Sequence, residues 1–271
     1  ERVRADDLIE TGCGDYYCPP CHREHEERLN DEDAGKIREY QSVTRPYAPL
    51  NAPAWSMELE MEFPDSSACS AFAIEARNLE NWRGSPLILE RDGSLSRDKG
   101  VECVLSCYQS TEDLLADVHA VQACAKKHKA IAWDLPKIRN ADAGLHISTN
   151  RIQWTRRALC RLGFILTVCD IALERAAGRR THYAEYPPRA PFGTMPQGNL
   201  ASFARGSRGK YCAVNVRESR LEWRIFRATL NPERIAKNLS LVNSLEALAK
   251  SQIPAAKLKS SALEIIHSHT L

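Results

Sequence analysis

Nothing in this 271-residue chain is long and apolar enough to suggest a membrane span; the best apolar patch, Phe164-Ile-Leu-Thr-Val168, is of core size. A charge of one sign is missing too. Lys+Arg 37 against Asp+Glu 35 leaves a net +2, so the overall charge implies no polyanion partner. The start, Glu1-Arg-Val-Arg-Ala-Asp-Asp, lacks both the apolar stretch of a signal peptide and an initiator Met, which leaves open whether residues precede Glu1. At this length one large domain, or one domain with a small appendage, is expected. Cysteine, by contrast, is plentiful, with ten in the chain. Cys69, Cys103, Cys107, Cys124, Cys160, Cys169 and Cys212 scatter through apolar or helical contexts. Such cysteines behave as small core residues in a reducing compartment, so a cytoplasmic protein is expected.

The remaining cysteines crowd together. Cys13, Cys18, Cys21, His22 and His25 share one short segment, and Cys18-Pro-Pro-Cys21 has the spacing of a zinc knuckle. Cys13, Cys18, Cys21 and one of the two histidines could close a tetrahedral structural site, with His25 leaving more slack than His22. A redox Cys-x-x-Cys pair is the competing reading, but no strand is expected ahead of it. Glu24 to Tyr40 is highly charged and suits a solvated helix. Thr44 to Pro53 is punctuated by proline and reads as an extended linker. The expected division is residues 1–43 as a zinc-binding segment with a charged helix, 44–53 as linker, and 54–271 as the main domain.

That domain opens on Trp55-Ser-Met-Glu-Leu-Glu-Met-Glu-Phe63. With a period of two, Trp55, Met57, Leu59, Met61 and Phe63 face one side, and Glu58, Glu60 and Glu62 the other. Same-face neighbours on a strand are only about 7 Å apart, so three glutamates repel unless they are well solvated or share cations. Taken alone, the strand suits a wet edge; alternatively, its carboxylates are ligands for a hard cation such as Mg²⁺.

Further along, Ser66-Ser67 is expected to cap a helix running through Phe72, Ile74, Ala76 and Leu79 to Trp82. Leu87 to Leu89 and Gly100 to Ser106 read as strands, the second with Glu102 on its polar side. A helix begins at Thr111, with Leu114, Leu115, Val118 and Val121 inward and Lys126, Lys127 and His128 in its last turn. Ala143 to Asn150 is a strand with His146 and Ser148 on one face. A buried helix runs from about Trp154 to Ala177. Tyr183 to Gly209 is long and aperiodic, and is expected to close over a site. Tyr211–Arg217 and Arg220–Arg227 form a hairpin around Glu218-Ser219, with Arg217 facing Arg220 and Asn215 facing Glu222. Asn231-Pro232-Glu233 opens a strong helix with Leu239, Val242, Leu245 and Leu248 inward, and Ser251 to Leu271 is a weaker helical tail.

The polar faces of these strands offer Glu58, Glu60, Glu62, Glu102, His146, Glu222 and Arg224. Carboxylates accompanied by arginine and histidine suit a site for Mg²⁺ and a polyphosphate. At this point the chain resembles the amidoligase family, which shares a superfamily with glutamine synthetase and the glutamate–cysteine ligases. Four pieces carry the resemblance in family order: Glu58-Leu-Glu60; Arg91-Asp-Gly-Ser-Leu95 with Gly100-Val-Glu102; Gly144-Leu-His-Ile-Ser148; and Leu221-Glu-Trp-Arg-Ile-Phe-Arg227 leading into Thr229-Leu230. They span roughly Pro53 to Ala249. Ser56 and Ser148 stand where relatives usually have Gly and His.

The resemblance implies an α+β fold with a glutamine synthetase-like curved, mainly antiparallel sheet and flanking helices. It also implies an ATP- and Mg²⁺-dependent carboxylate–amine ligase working through an acyl phosphate. Glu58, Glu60, Glu102 and Glu222 would be Mg²⁺ ligands. His146 would lie near the nucleotide or the reacting carboxylate. Arg224 and Arg227 would meet the phosphates, and Ser148 and Asn215 would supply polar contacts. The implied partners are ATP and a carboxylate–amine pair, whether metabolite, peptide or protein; neither membrane nor nucleic acid is expected, and the oligomeric state is open. Two rival readings stand beside this one. One is a phosphotransferase of the same fold. The other is a zinc-containing binding module with an inactive ligase domain, for which Arg151, Arg156, Arg157 and Arg161, or Arg179 and Arg180 with Arg205 and Arg208, would form a basic surface.

Overall fold

The computed structural model describes residues 9–10, 16–17, 37, 54–79, 82–84, 87–92, 95–96, 98–132, 143–151, 154–179, 184–187, 202–206, 211–217 and 219–270. The expected zinc ligands Cys13, Cys18, Cys21 and His25 lie outside these residues, as do the linker 44–53 and most of the expected closing loop 183–209. Ahead of Cys18 stands a short antiparallel ladder of β1 (Ile9–Glu10) and β2 (Tyr16–Tyr17), with Ile9 opposite Tyr17 and Glu10 opposite Tyr16. The sequence reading expects no strand there, because strands this short carry too little alternation to be recognised. The chain divides into two compact units, one built on Ala54–Ala143 and the other on Gly144–Leu271. Segment 54–271, expected as one domain, contributes to both.

The first unit holds β3 (Trp55–Glu62), α1 (Ser66–Arg77), β4 (Ile88–Glu90), β5 (Gly100–Tyr108) and α2 (Thr111–Lys127). β5 pairs antiparallel with β3 on one side and with β4 on the other. The alternation in β3 does what its pattern demands: Met57, Leu59 and Met61 are buried, and α2 packs on β3 and β5. Phe63 and Phe72 meet with ring centroids 4.9 Å apart. Asp65, rather than Ser66 or Ser67, caps α1; its carboxylate accepts from the Ala68 amide at 2.8 Å. The helix stops at Arg77 instead of running to Trp82, and Ile74 is 53% exposed. Its inner stripe is Cys69, Phe72, Ala73 and Ala76. In α2, Asp117 takes an inward place that the apolar pattern could not reveal. It accepts from the Tyr108 hydroxyl at 2.8 Å and from the Arg83 and Gly84 amides at 2.9 and 3.3 Å. A Cβ at Gly84 would run into the Tyr108 ring, so only glycine fits beside this anchor.

The second unit holds β6 (Gly144–Asn150), α3 (Arg156–Val168), α4 (Asp170–Ala177), β7 (Val214–Val216), β8 (Arg220–Arg227), α5 (Pro232–Lys250) and α6 (Ala255–His269). β8 pairs antiparallel with β6 and β7. The hairpin register is the expected one, with Asn215 opposite Glu222 and the Arg217 amide donating to the Arg220 carbonyl at 2.9 Å. The single helix expected from Trp154 to Ala177 is broken at Cys169. Just before the break, the Thr167 hydroxyl donates to the Gly163 carbonyl at 2.8 Å, a back-bond that bends helices. Asn231 caps α5 by accepting from the Arg234 amide at 3.2 Å, and Ile235, Leu239, Val242 and Leu245 form its buried stripe. At the other end of α5, buried Arg161 donates to the Leu248, Ala249 and Ile253 carbonyls at 3.3, 3.0 and 2.9 Å. Leu248 and Ala249 belong to the last turn of α5, where carbonyls lack intrahelical partners, and Ile253 to the connection that follows. Among the described residues no helix is long and apolar enough to cross a membrane.

Behind the β6–β8 pair, α5 buries the Glu246 carboxylate. It accepts from the Thr149 hydroxyl at 2.5 Å and the Trp223 indole at 3.0 Å, with Lys250 3.5 Å away. Burial raises its pKa above the ordinary 4.5, against the lowering pull of Thr149, Lys250 and Trp223. A raised folded-state value favours folding most when the group is protonated. That contribution fades as pH climbs from the ordinary value through the folded one. Glu246→Gln keeps an acceptor for Thr149 and Trp223 and removes the titration. Urea midpoints measured across the acid range should therefore fall less steeply with rising pH in this variant than in the wild type.

Candidate functional site

Each unit turns one face of its strands into a charged surface, and the two surfaces have opposite character. In the first unit, strand register aligns Glu60 with Glu102 and Glu102 with Glu90, so three carboxylates form a row across β3, β5 and β4. Side chains directly opposite one another have Cβ atoms about 5 Å apart. Glu58 lies two residues along β3 on the same face, in register with Val104 and Ile88, which form a small apolar cluster. A carboxylate oxygen of Glu58 and one of Glu102 come within 4.8 Å of each other. Glu58, Glu60, Glu90 and Glu102 are all at most 3% exposed, so the wet-edge alternative fails for this strand. Charged oxygens gathered in so dry a place call for positive charge nearby. Carboxylate oxygens such as those of Glu58 and Glu102 suit a hard divalent cation such as Mg²⁺. Glu62 stands apart: it is partly exposed, and its side chain accepts from the Ser96 amide at 2.8 Å, tying down the connection into β5.

In the second unit, the row across β6, β8 and β7 is Ser148, Glu222 and Asn215. Glu222 is buried among donors. Arg224 pairs closely with one of its oxygens; Asn215 donates to the other at 3.1 Å, and Arg220 lies 3.7 Å from it. The His146 Nδ1 lies 3.9 Å from Glu222, and its Nε2 lies 3.2 Å from the Arg179 guanidinium. A guanidinium can only donate, so the Nε2 accepts, which leaves the proton of neutral His146 on Nδ1, toward Glu222. Between Ile147–Trp223 and Leu145–Phe226 the ladder carries a bulge, in which Arg224 and Ile225 together face His146. The displaced Arg224 amide donates to the Ala213 carbonyl at 2.9 Å. The Ser148 hydroxyl is buried and has no hydrogen-bond partner among the described residues. One carboxylate amid Arg179, Arg220 and Arg224 leaves a net positive face, suited to anionic oxygens.

Within the first unit, Glu58, Glu60 and Glu102 lie on one face of its strands. Within the second, His146, Ser148, Asn215, Glu222 and Arg224 lie on one face of its strands, and Glu222 is engaged by protein donors. Arg227, opposite Gly144, is exposed and donates to the Gly178 carbonyl at 3.1 Å, away from the Glu222 cluster. Sequence reasoning missed Glu90 and Arg179. Glu90 follows an apolar run whose register could not be read, yet its offset from Glu102 is what a hairpin partner would show. Arg179, which only the binding-module reading places on a basic surface, is 4% exposed and also donates to the Arg224 carbonyl at 3.3 Å. Its guanidinium fills the space that a Cβ at Gly144 would occupy. Arg161 is likewise withdrawn from any basic surface by its role at the end of α5.

Two outcomes follow from this geometry. Millimolar Mg²⁺ should raise the melting temperature of the wild-type chain, and Glu60→Gln and Glu102→Gln should each reduce that rise. Gly144→Ala should displace Arg179 and cost about 1–3 kcal/mol by urea denaturation; Gly84→Ala should do the same at Tyr108.

No protein-family model matches this chain, and no curated protein matches it. Among solved structures it is similar to the crystal structure of the complex between prokaryotic ubiquitin-like protein Pup and its ligase PafA. Sequence identity is 14%, the TM-score is 0.42, and the match covers 82% of this chain but only 58% of that one. A likeness of that size fixes neither family nor activity.

Proposed function

We propose that this chain is an ATP- and Mg²⁺-dependent carboxylate–amine ligase with a glutamine synthetase-like fold. The observation that carries the reading is the buried carboxylate row of Glu60, Glu102 and Glu90 with Glu58 beside it. Carboxylates gathered on one strand face suit a shared hard cation. In the second unit, the face around Glu222 carries guanidinium groups of the kind that neutralise phosphate oxygens, which supports the same reading. The order of the four amidoligase-like motifs supports the same assignment.

A carboxylate is a poor acyl donor because an oxide ion is a poor leaving group. Attack of the substrate carboxylate on the ATP γ-phosphorus forms an acyl phosphate and releases ADP. An amine then attacks the acyl carbon, and phosphate leaves as the amide bond forms. Glu58, Glu60 and Glu102 would hold Mg²⁺, which when bound draws charge from the phosphate oxygens. Arg224 would meet the transferring phosphoryl group, with Glu222 and Asn215 fixing its guanidinium. Glu222 was expected as a metal ligand; its tight pairing with Arg224 supports a positioning role instead. His146, held by Arg179, presents a fixed tautomer toward Glu222. The Ser148 hydroxyl is a spare donor for a nucleotide or substrate oxygen. The substrate is a carboxylate of a small molecule, peptide or protein; cytoplasmic residence and a structural zinc at Cys13, Cys18, Cys21 and His25 belong to the same proposal.

The test is ADP release across pools of carboxylates and amines, with hydroxylamine present to trap the acyl phosphate as a hydroxamate. Wild-type release should need Mg²⁺, and Glu60→Gln should lose about a hundredfold or more. If wild type and Glu60→Gln are equally inert and ATP does not bind, the reading is wrong. A stable phosphorylated product formed without any need for amine would instead assign a phosphotransferase.

A further inference from the structure

Outside the charged strand faces, three side chains of the first unit converge on chemistry that the ligase reading does not use. Cys124 and His128 are four residues apart at the end of α2, so they project from the same side of the helix. Glu75, on α1, faces them. One ligand atom from each of Glu75, Cys124 and His128 lies within 4.8 Å of the other two. We infer that this trio is a binding site for a thiophilic divalent cation of the Zn²⁺ class, joining α1 to the end of α2.

The donor set selects the ion. A thiolate, an imidazole and a carboxylate suit Zn²⁺, whereas Mg²⁺ prefers oxygen alone. With usual Zn–S, Zn–N and Zn–O bond lengths, tetrahedral ligand atoms sit about 3.3–3.8 Å apart. The three ligand atoms therefore need only small shifts to close around an ion. Its parts are already oriented. The His128 Nε2 lies 2.8 Å from the Glu75 carboxylate, and the imidazole stands edge-on to Phe72 with centroids 6.5 Å apart. The His128 amide donates to the Cys124 carbonyl at 3.3 Å, which fixes the backbone between the two ligands. Cys124 is 4% exposed, while the Glu75 and His128 side chains are 35% and 16% exposed. The ion can therefore enter from solvent, and a fourth position remains for water. Binding exchanges the Cys124 thiol proton for the metal, and an ion on the His128 Nε2 sends the proton that this nitrogen shares with the Glu75 carboxylate to Nδ1 or to water.

One competitor is present. The Lys127 ammonium contacts both Glu75 oxygens at 2.8 Å. Its side chain is 66% exposed, so it can turn into water when an ion takes the carboxylate. This inference concerns α1 and α2 alone and is independent of the ligase assignment.

Cobalt titration tests it through the near-ultraviolet charge-transfer band of a cobalt thiolate. The full chain carrying Cys13→Ser, Cys18→Ser and Cys21→Ser should still give the band at one equivalent. Adding either Cys124→Ser or His128→Gln should abolish it. Zn²⁺ should raise the melting temperature of the same chain, and Lys127→Met should tighten zinc binding severalfold by removing the competitor. A band that survives His128→Gln would mean cobalt on a lone thiol and would overturn the site. So would a zinc response unchanged by Cys124→Ser, or one left no tighter by Lys127→Met.

Discussion

Burying charge is the constraint to which this chain's strands answer. A strand offers two faces, and in β3, β5, β6 and β8 one of them is apolar and packed while the other carries ionisable side chains away from water. Hydrophobic burial of Met57, Leu59 and Met61, or of Leu221, Trp223 and Ile225, fixes the register, and a fixed register decides which charges become neighbours. A slip of one residue in β3 would turn Glu58 and Glu60 into the core. The apolar face thus enforces the position of the polar one, and the cost of gathering carboxylates is met by packing on the reverse side.

The second unit surrounds its carboxylate with protein donors. Glu222 is surrounded by Arg220, Arg224 and Asn215, and His146 is placed between Glu222 and Arg179. Arg179 comes from just beyond α4, where Gly178 adopts φ 78. Most residues are strained there, so glycine lets the chain end the helix and turn. Gly144 then leaves the space into which Arg179 fits. Two glycines far apart in sequence thereby cooperate to bury one guanidinium beside one histidine.

Much of this was legible in the amino acids. Alternation placed β3, β5, β6 and β8, the Asn231-Pro232 pair marked the start of α5, and the hairpin register followed from a two-residue connection despite its atypical turn residues. What escaped had a long-range cause. Asp117 lies inward because Tyr108 and two loop amides supply its hydrogen bonds, and none of these neighbours can be inferred from helix period. Arg161 and Arg179 looked like surface charge because the carbonyls and the imidazole that receive them lie tens of residues away. Glu90 was lost for a different reason: apolar runs fix neither face nor register. The break at Cys169 interrupts an otherwise continuous apolar pattern, next to a Thr167 hydroxyl that bonds back to the Gly163 carbonyl.

The bulge on β8 has a consequence of another kind. Trp223 and Phe226 keep partners on β6 on either side of it, so the two residues between them occupy the length of one. A bulge of this kind takes up one extra residue while the pairs on either side of it stay in register. The position of Arg224 thus depends on a local irregularity of the ladder and on the groups that hold it there, rather than on the pairing of the strand as a whole.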